Sequence, residues 1–519
     1  MRSQKKILNK TIKVGLSTLL SRFFGIVREV LMVKYLGVSG LSDAFLTAYK
    51  IPNSLRKVFA EGALSAAFIP TIVTTVHHDN KNNIAGLMSL AFLVFEGIVV
   101  IICIFIMNYA AYIIHFIAPG FSDNQVNATI PMLYILMPFI LFISSSALLA
   151  GALNAIDHFL IPAIAPIVIN FIFIIGICVC LFFHLPVTTL CYFVVFAGFI
   201  HFIMHLIMYI KFKFFFGKIT KEDFFIFIRI VGKFLLCIPS ISLMEIALFI
   251  DTSFASFLAP GSISLLFYAN RFVGIPLGVF AVAFSTILLP HFSRIHTYSP
   301  KRLHFYLLES AKFILWVTAP VALLMGFFSQ EIFSTIFLSK NFTVMQVQQA
   351  GNILLVLLLG LFFFSLNKIL LNIFYAMHAA WVPAVIALCA TTINIILNML
   401  FIEKLQTVGL ALATTLSSSI QTVLFLFILY RKYKFRIYIL SFLSFAMRYV
   451  IQLSIVSSVF LFCYYNFMAA IVQWLPSAIA SFFTVDIGLW LWVGPLSLLF
   501  IIMLYFSRTL FKINLHFLK

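Results

Sequence analysis

The sequence predicts an all-α polytopic membrane protein of about fourteen transmembrane helices, two pseudo-symmetric six-helix lobes followed by two further helices. Three observations predict it. The 519 residues are 63% hydrophobic and only 9% charged, with mean hydropathy +1.14, a balance outside that of soluble domains. Apolar runs of about twenty residues, each long enough to cross a bilayer as a helix, recur from end to end. Motifs in the first half return about 220 residues later, the mark of an internal repeat. The runs are continuously apolar and lack the alternation of barrel strands, so a transmembrane barrel is excluded.

In chain order, the N-terminal stretch MRSQKKILNKTIK is basic, and no short apolar core with a small-residue cleavage site follows it. It reads as a cytoplasmic tail rather than a removable signal. The expected helix cores are then 13–35, 42–74, 84–117, 129–154, 159–183, 188–212, 227–258, 262–293, 304–337, 346–376, 380–402, 406–430, 440–465 and 486–508. The seven cysteines all fall inside these apolar spans. Cys178-Val-Cys180 has no His or carboxylate beside it and reads as small apolar filler.

Charge between the helices sets the orientation. The net charge is +19, from 34 Lys+Arg against 15 Asp+Glu. The excess sits in short loops and tails: the N-terminal tail, KFKFFFGKITK (211–221), Arg294 with Lys301 and Arg302, RKYKFR (431–436), and the C-terminal tail. The opposite loops carry almost none: APGFSDNQVN from Ala118 has no Lys or Arg, and Lys34, Lys340 and Lys404 are isolated exceptions. Basic loops stay in the cytoplasm, so both termini are expected there, and the charge calls for no nucleic-acid partner.

The repeat divides the chain. Ala63-Leu64-Ser65 and Pro70 match Ala283-Phe284-Ser285 and Pro290, and Pro162-Ala163 after Asn154 matches Pro383-Ala384 after Asn372. Residues 1–220 become an N-terminal lobe, 221–436 a C-terminal lobe, and 437–519 two added helices. An even number of helices per lobe gives both lobes the same orientation.

Charges inside the membrane are the candidate functional residues. The first two helices carry Arg22, Arg28, Glu29, Asp43, Lys50, Arg56, Lys57 and Glu61. At the bilayer centre a charge costs about 2.5–3.5 kcal/mol on the translocon scale, so such groups face water or one another. Arg22 and Glu29 share a helix face with Arg28 directed elsewhere, and Lys57 is placed one turn before Glu61. Pro52 is expected to kink the second helix. Arg271 in SLLFYANRFVGIP occupies the region matching Tyr49–Arg56 in the second lobe, and Lys368 is a further cation. Arginine stays charged and grips phosphate oxygens with a planar fork, so an arginine surplus suits a phosphorylated ligand. Glu29, Lys50 and Lys368 are gating or cavity candidates. A weaker set, Asp251, Asn394, Asn398 and Thr414, can hold Na+ or a proton, or pack as a hydrogen-bonded cluster. No phosphate-cradling glycine loop, zinc-type histidine spacing or nucleophile with a base appears, and His77-His78 read as solvated.

These motifs resemble the MurJ/MviN family of lipid II flippases. The resemblance rests on SRFFGIVRE, SDAFLTAYKIPNSLRKVFAEGALSAAFIP, APGF (118–121), the Pro162–Asn170 stretch and FASFLAPGSISLLFYANRFVGIPLGVFAVAFSTILLPHFS, and weakens after about Tyr438. It implies the MOP-type exporter fold, with a central cavity and a groove at the last two helices for a polyprenyl tail. It carries Arg22, Arg28, Asp43, Arg56, Glu61, Ser264 and Arg271 over as cavity residues for the pyrophosphate and sugar-peptide headgroup, and Lys57 stands where many relatives have Arg. Asn270 and Gly274 replace acids often found beside the matching arginine. The resemblance implies a transporter, not an enzyme, with lipid II as substrate, membrane lipids and cell-wall synthesis proteins as partners, no cofactor, and coupling to membrane potential, Na+ or H+. It implies a multi-pass protein of the bacterial cytoplasmic membrane. Two rivals share the superfamily: an O-antigen-type lipid-pyrophosphate flippase, and a cation-coupled multidrug exporter, which calls for a carboxylate-dominated cavity. A non-transporting scaffold gives no reason for arginines at membrane depth.

Overall fold

A computed structural model of the chain describes residues 2–62, 68, 71, 72 and 84–518, apart from 157, 159, 300, 301, 378, 380 and 487. The His77-His78 loop and most of the Ala63–Pro70 motif lie outside the described residues, as does the side chain of Glu61. Among the described residues the chain is almost wholly helical, with a single isolated bridge between Ser339 and Phe342. It forms two compact units, Met1–Ser264 and Leu265–Lys519.

The first unit contains α1 (Arg2–Leu36), α2 (Gly40–Arg56), α3 (Ala85–Asn108), α4 (Ala110–Ile117), α5 (Asp123–Ala155), α6 (Leu160–Phe182), α7 (Val187–Lys211) and α8 (Lys221–Ser256). Polar caps start these helices where the chain leaves the apolar layer. Ser39 Oγ accepts the Ser42 N–H ahead of α2, and Ser122 with Gln125 and Thr220 with Asp223 form reciprocal capping boxes for α5 and α8. Inside the unit α1 packs on α6, α6 on α7, and α7 on α5, while α8 lies against α3 and α4. The repeat counts α8 with the second half of the sequence; by contacts it belongs to the first unit.

The following helices are α9 (Ser262–Pro276), α10 (Ala283–Tyr298), α11 (Arg302–Phe327), α12 (Ser329–Phe337), α13 (Val344–Leu359), α14 (Leu361–Ala376), α15 (Trp381–Arg431), α16 (Ile439–Trp474), α17 (Ser477–Thr484) and α18 (Leu489–Ser507). A core of Leu288, Phe292, Ile314, Leu370, Phe374 and Phe425 joins α10, α11, α14 and α15.

Two features of the helices recur at the spacing of the sequence repeat. A π-helical turn, Lys57–Gly62, follows α2, and another, Leu277–Val282, follows α9, 220 residues later. Lys211 ends α7 and Arg431 ends α15, again 220 apart, and each is followed by a lysine with positive φ, Lys213 at 60° and Lys434 at 56°. Left-handed residues of this kind close helix C-termini.

Among the described residues nine helices are long and apolar enough to cross a membrane, or ten when α13 and α14, bent by 45°, are taken as one span. α15 has 51 residues, about 77 Å at the α-helical rise, far more than one crossing needs. Non-helical backbone at Gln406 (φ 49°, ψ −129°) breaks it, which yields the two helices expected at 380–402 and 406–430. The expected 84–117 and 304–337 each end in a separate short helix, α4 and α12. With these spans the chain is an integral membrane protein.

Candidate functional site

The charged residues of α1 and α2 are gathered in the first unit, each with a different solution to its burial. Arg28 is directed at Glu29, correcting the expectation that it points away from the Arg22–Glu29 face: its Nη2 donates to Glu29 Oε1 at 2.5 Å. Its Nη1 donates to Asn170 Oδ1 at 2.9 Å, and the guanidinium lies 5.0 Å from the centre of the Phe173 ring. Asn170 in turn donates to the Ser21 carbonyl at 3.1 Å, fastening α6 to α1. Arg22 is exposed and has no ion-pair partner among the described residues.

Asp43, 2% exposed, caps the start of α9. Its Oδ2 accepts the Gly261 N–H at 2.6 Å; its Oδ1 accepts the Ser264 N–H at 2.8 Å and the Ser264 hydroxyl at 2.5 Å. A helix N-terminus leaves N–H groups unpaired and carries partial positive charge, so a carboxylate there replaces the water it lost. Gly261 has φ +98°, and a Cβ on it would stand 2.4 Å from Val38 Cγ1. The sequence reading put Asp43 and Ser264 in the substrate cavity. The structure places both in this buried junction.

Further along α2, Lys50 donates to the Leu248 carbonyl at 2.8 Å and to the Thr252 hydroxyl on α8. Lys57 donates to both carboxylate oxygens of Glu245, at 2.9 and 3.0 Å, and Ser54 donates to the same carboxylate at 2.7 Å. Lys57 thus has a partner on α8, and because it begins a π-helical turn, the α-helical spacing to Glu61 does not hold there. The backbone of Glu61 lies in that turn; its side chain is outside the described residues.

Arg56 donates through Nε to Asn53 Oδ1 at 3.1 Å and lines a cavity of about 440 Å³ within the first unit. Tyr49, Asn154, Asn170, His201 and His205 contribute its other main polar groups. His205 Nδ1 is 2.8 Å from the His201 carbonyl, which only accepts, so Nδ1 carries the proton. Ser146 spends its hydroxyl proton on the Phe142 carbonyl at 2.6 Å, so His201 Nδ1, 2.9 Å from Ser146 Oγ, is also the donor. Both neutral rings therefore keep Nε2 as an acceptor. Asn154 Oδ1 is a buried acceptor with no partner among the described residues. The cavity combines one fixed cation with several acceptors, and among the described residues no carboxylate lines it.

In the second unit Arg271 is exposed and lies 4.9 Å from the centre of the Phe267 ring, and Lys368 is half-buried on α14. Asn398 donates to Asn394 Oδ1 at 3.0 Å, and Asn394 to Thr414 Oγ1 at 3.5 Å, while the buried Asn398 Oδ1 is left without a hydrogen-bond donor. Asp251 belongs to the first unit.

The family model for the lipid II flippase MurJ matches residues 32–481, most of the chain. The chain belongs to the MurJ lipid II flippase family. Similar proteins include the probable lipid II flippase MurJ of Buchnera aphidicola subsp. Schizaphis graminum, 31% identical over 82% of this chain and 84% of that one. The lipid II flippase MurJ of Burkholderia cenocepacia is 28% identical over 78% and 80%. Among solved structures, a lipid II flippase MurJ in an inward closed conformation superposes with TM-score 0.76 at 26% identity, over 96% of this chain and 99% of that one. An inward-facing multidrug transporter of the MATE family and MOP superfamily superposes with TM-score 0.68 over 80% of this chain at 12% identity, a likeness of fold. This chain therefore has the MOP-type helical architecture of a transporter.

Three residues of the site were not singled out from the sequence. His201 and His205 are one helical turn apart in HFIMH, the spacing that puts both on one face. Asn170 sits within the Pro162–Asn170 stretch but gave no sign of being the partner of Arg28.

Proposed function

We propose that this MurJ-family chain is a flippase that carries lipid II from the inner to the outer leaflet of the bacterial inner membrane, for peptidoglycan synthesis. The observation that carries the proposal is the cavity of the first unit, which holds Arg56 among hydrogen-bonding groups, with no carboxylate among the described residues that line it. A guanidinium pairs with phosphate oxygens, and histidine Nε2 and amide oxygens accept from sugar hydroxyls and amides. The multidrug-exporter reading calls for acids where the described lining of this cavity has Arg56. Arg22 is a further exposed cation for the pyrophosphate on the first unit, and Arg271 is an exposed cation of the second.

The lipid tail stays in the bilayer while the cavity opens to one face and then the other. The membrane potential acts on any net charge carried across, at about 2.3 kcal/mol per elementary charge per 100 mV. Na+ takes oxygen ligands, and Asn394, Asn398 and Thr414 of the second unit form the oxygen-rich cluster suited to it. The distribution of Lys and Arg supports a cytoplasmic position for both termini.

Depletion of the protein, followed by impermeant labelling of lipid II in the outer leaflet, tests the function. Outer-leaflet lipid II is expected to disappear, and its persistence would sink the flippase reading. Complementation with Arg56→Ala is expected to fail at normal protein levels, since losing a phosphate-pairing cation costs about 1.5–3 kcal/mol.

A further inference from the structure

We infer that Glu96, on α3 of the first unit, is a proton-binding site whose protonation state governs the transport cycle. Glu96 is the sole charged residue of the span Ala85–Asn108, whose mean hydropathy is 3.0. It lies near the span's middle, about 17 Å of helix from either end. There an ionised side chain is at its most expensive, and an acid that persists at such a depth points to a proton or ion pathway.

Its surroundings hold no compensating cation among the described residues. Glu96 has no ion pair, and its Oε1 is buried with no hydrogen-bond partner. The groups that meet it are hydroxyls of α5: the buried Ser144 Oγ is 2.8 Å from Glu96 Oε2 and 3.2 Å from the Leu141 carbonyl, and the neighbouring Ser145 hydroxyl also faces the carboxyl. The Ser144 hydroxyl has one proton and two neighbouring oxygens. With the acid protonated, Glu96 donates to Ser144 and Ser144 donates to Leu141, so both protons are used. With the acid ionised, Ser144 must turn to Glu96, and Oε1 retains unpaired charge in an apolar wall. Binding one proton turns a carboxylate of charge −1 into a neutral acid, and both hydrogen-bond arrangements fit the same heavy-atom positions.

The groups facing it leave this balance intact. α3 contributes the Cys103 thiol, whose Sγ is 3.8 Å from the Met137 carbonyl. α8 reaches this turn through Phe227 and Phe234 against Phe95, and its Arg229 and Lys233 are exposed and form no ion pair with Glu96. α5 adds only serines. Two residues past Ser144, Ser146 holds His201, and Arg56 lines the same cavity. Glu96 also closes the π-helical turn Phe92–Glu96, a helix irregularity that concentrates at functional positions.

The test uses the full chain in liposomes containing lipid II. Dicyclohexylcarbodiimide couples to protonated carboxyls in apolar surroundings, and peptide mass spectrometry locates the adduct. We expect an adduct at Glu96 that fades as pH rises and is absent in Glu96→Gln. In Ser144→Ala the ionised form loses its closest donor, so the fading should move up by about one pH unit. Lipid II movement in the wild type should vary by up to about tenfold per pH unit over the same range, and Glu96→Gln should flatten that profile. Absence of a Glu96 adduct, or a Gln variant with the wild-type profile, overturns the inference. The functional arm rests on the flippase reading. A wild type that carries the adduct but moves no lipid II would support the proton site and refute that reading instead.

Discussion

Glu245 illustrates how single side chains make charge tolerable in this fold. It accepts from Lys57 and Ser54 together, and each of the three would otherwise be an unsatisfied polar group in an apolar unit. Lys57 keeps a third of its side-chain surface exposed, so the pair is worth less than a fully enclosed one. A double-mutant cycle with Lys57→Met and Glu245→Gln, followed by thermal unfolding in detergent, is expected to give a coupling of about 0.5–2 kcal/mol. Additive effects would show that the contact contributes nothing. The sequence revealed Lys57 as a buried cation but paired it with Glu61, four residues on. Local spacing is all a sequence shows, whereas the true partner is 188 positions away. Glu96 went unremarked for a related reason: one acid in a strongly apolar run does not disturb the pattern that marks a span.

At the scale of elements, hydrophobic length located nearly every helix, since a run must match the bilayer whatever its neighbours do. The breaks were less legible. The π-helical turns after α2 and α9 contain no feature that separates them from continuous helix, although the repeat places them 220 residues apart. Packing of the last helices depends on polar contacts between apolar surfaces. Gln452 of α16 is fully buried and donates to the Leu504 carbonyl at 2.8 Å and the Ser507 hydroxyl at 2.7 Å. Trp490 of α18 donates to Thr335 of α12 at 2.9 Å. Hydrogen bonds between membrane helices average about 0.6 kcal/mol and reach about 1.7. Gln452→Leu, which removes two of them, should therefore lower stability by about 1–2 kcal/mol, read as a fall in detergent melting temperature. An unchanged or raised melting temperature would mean that apolar packing alone holds α16 to α18.

For the whole molecule, the decisive quantity is where the basic residues lie relative to the membrane. Lys and Arg crowd the loop after α7 and the loop after α15, while the loop before α5 has none. The 220-residue duplication makes those two basic loops equivalents of each other, each preceded by a helix ending in Lys211 or Arg431. The sequence repeat predicts that equivalent positions face the same side of the membrane, so one labelling experiment tests the expected topology. Single cysteines at Lys218→Cys and Asn124→Cys, in a chain whose seven native cysteines are replaced, separate the two faces. An impermeant maleimide should label position 124 in spheroplasts with intact inner membranes and reach position 218 only after permeabilisation. The reverse pattern would invert the topology. It would also remove the cytoplasmic entry that the proposed passage of a lipid pyrophosphate past Arg56 requires.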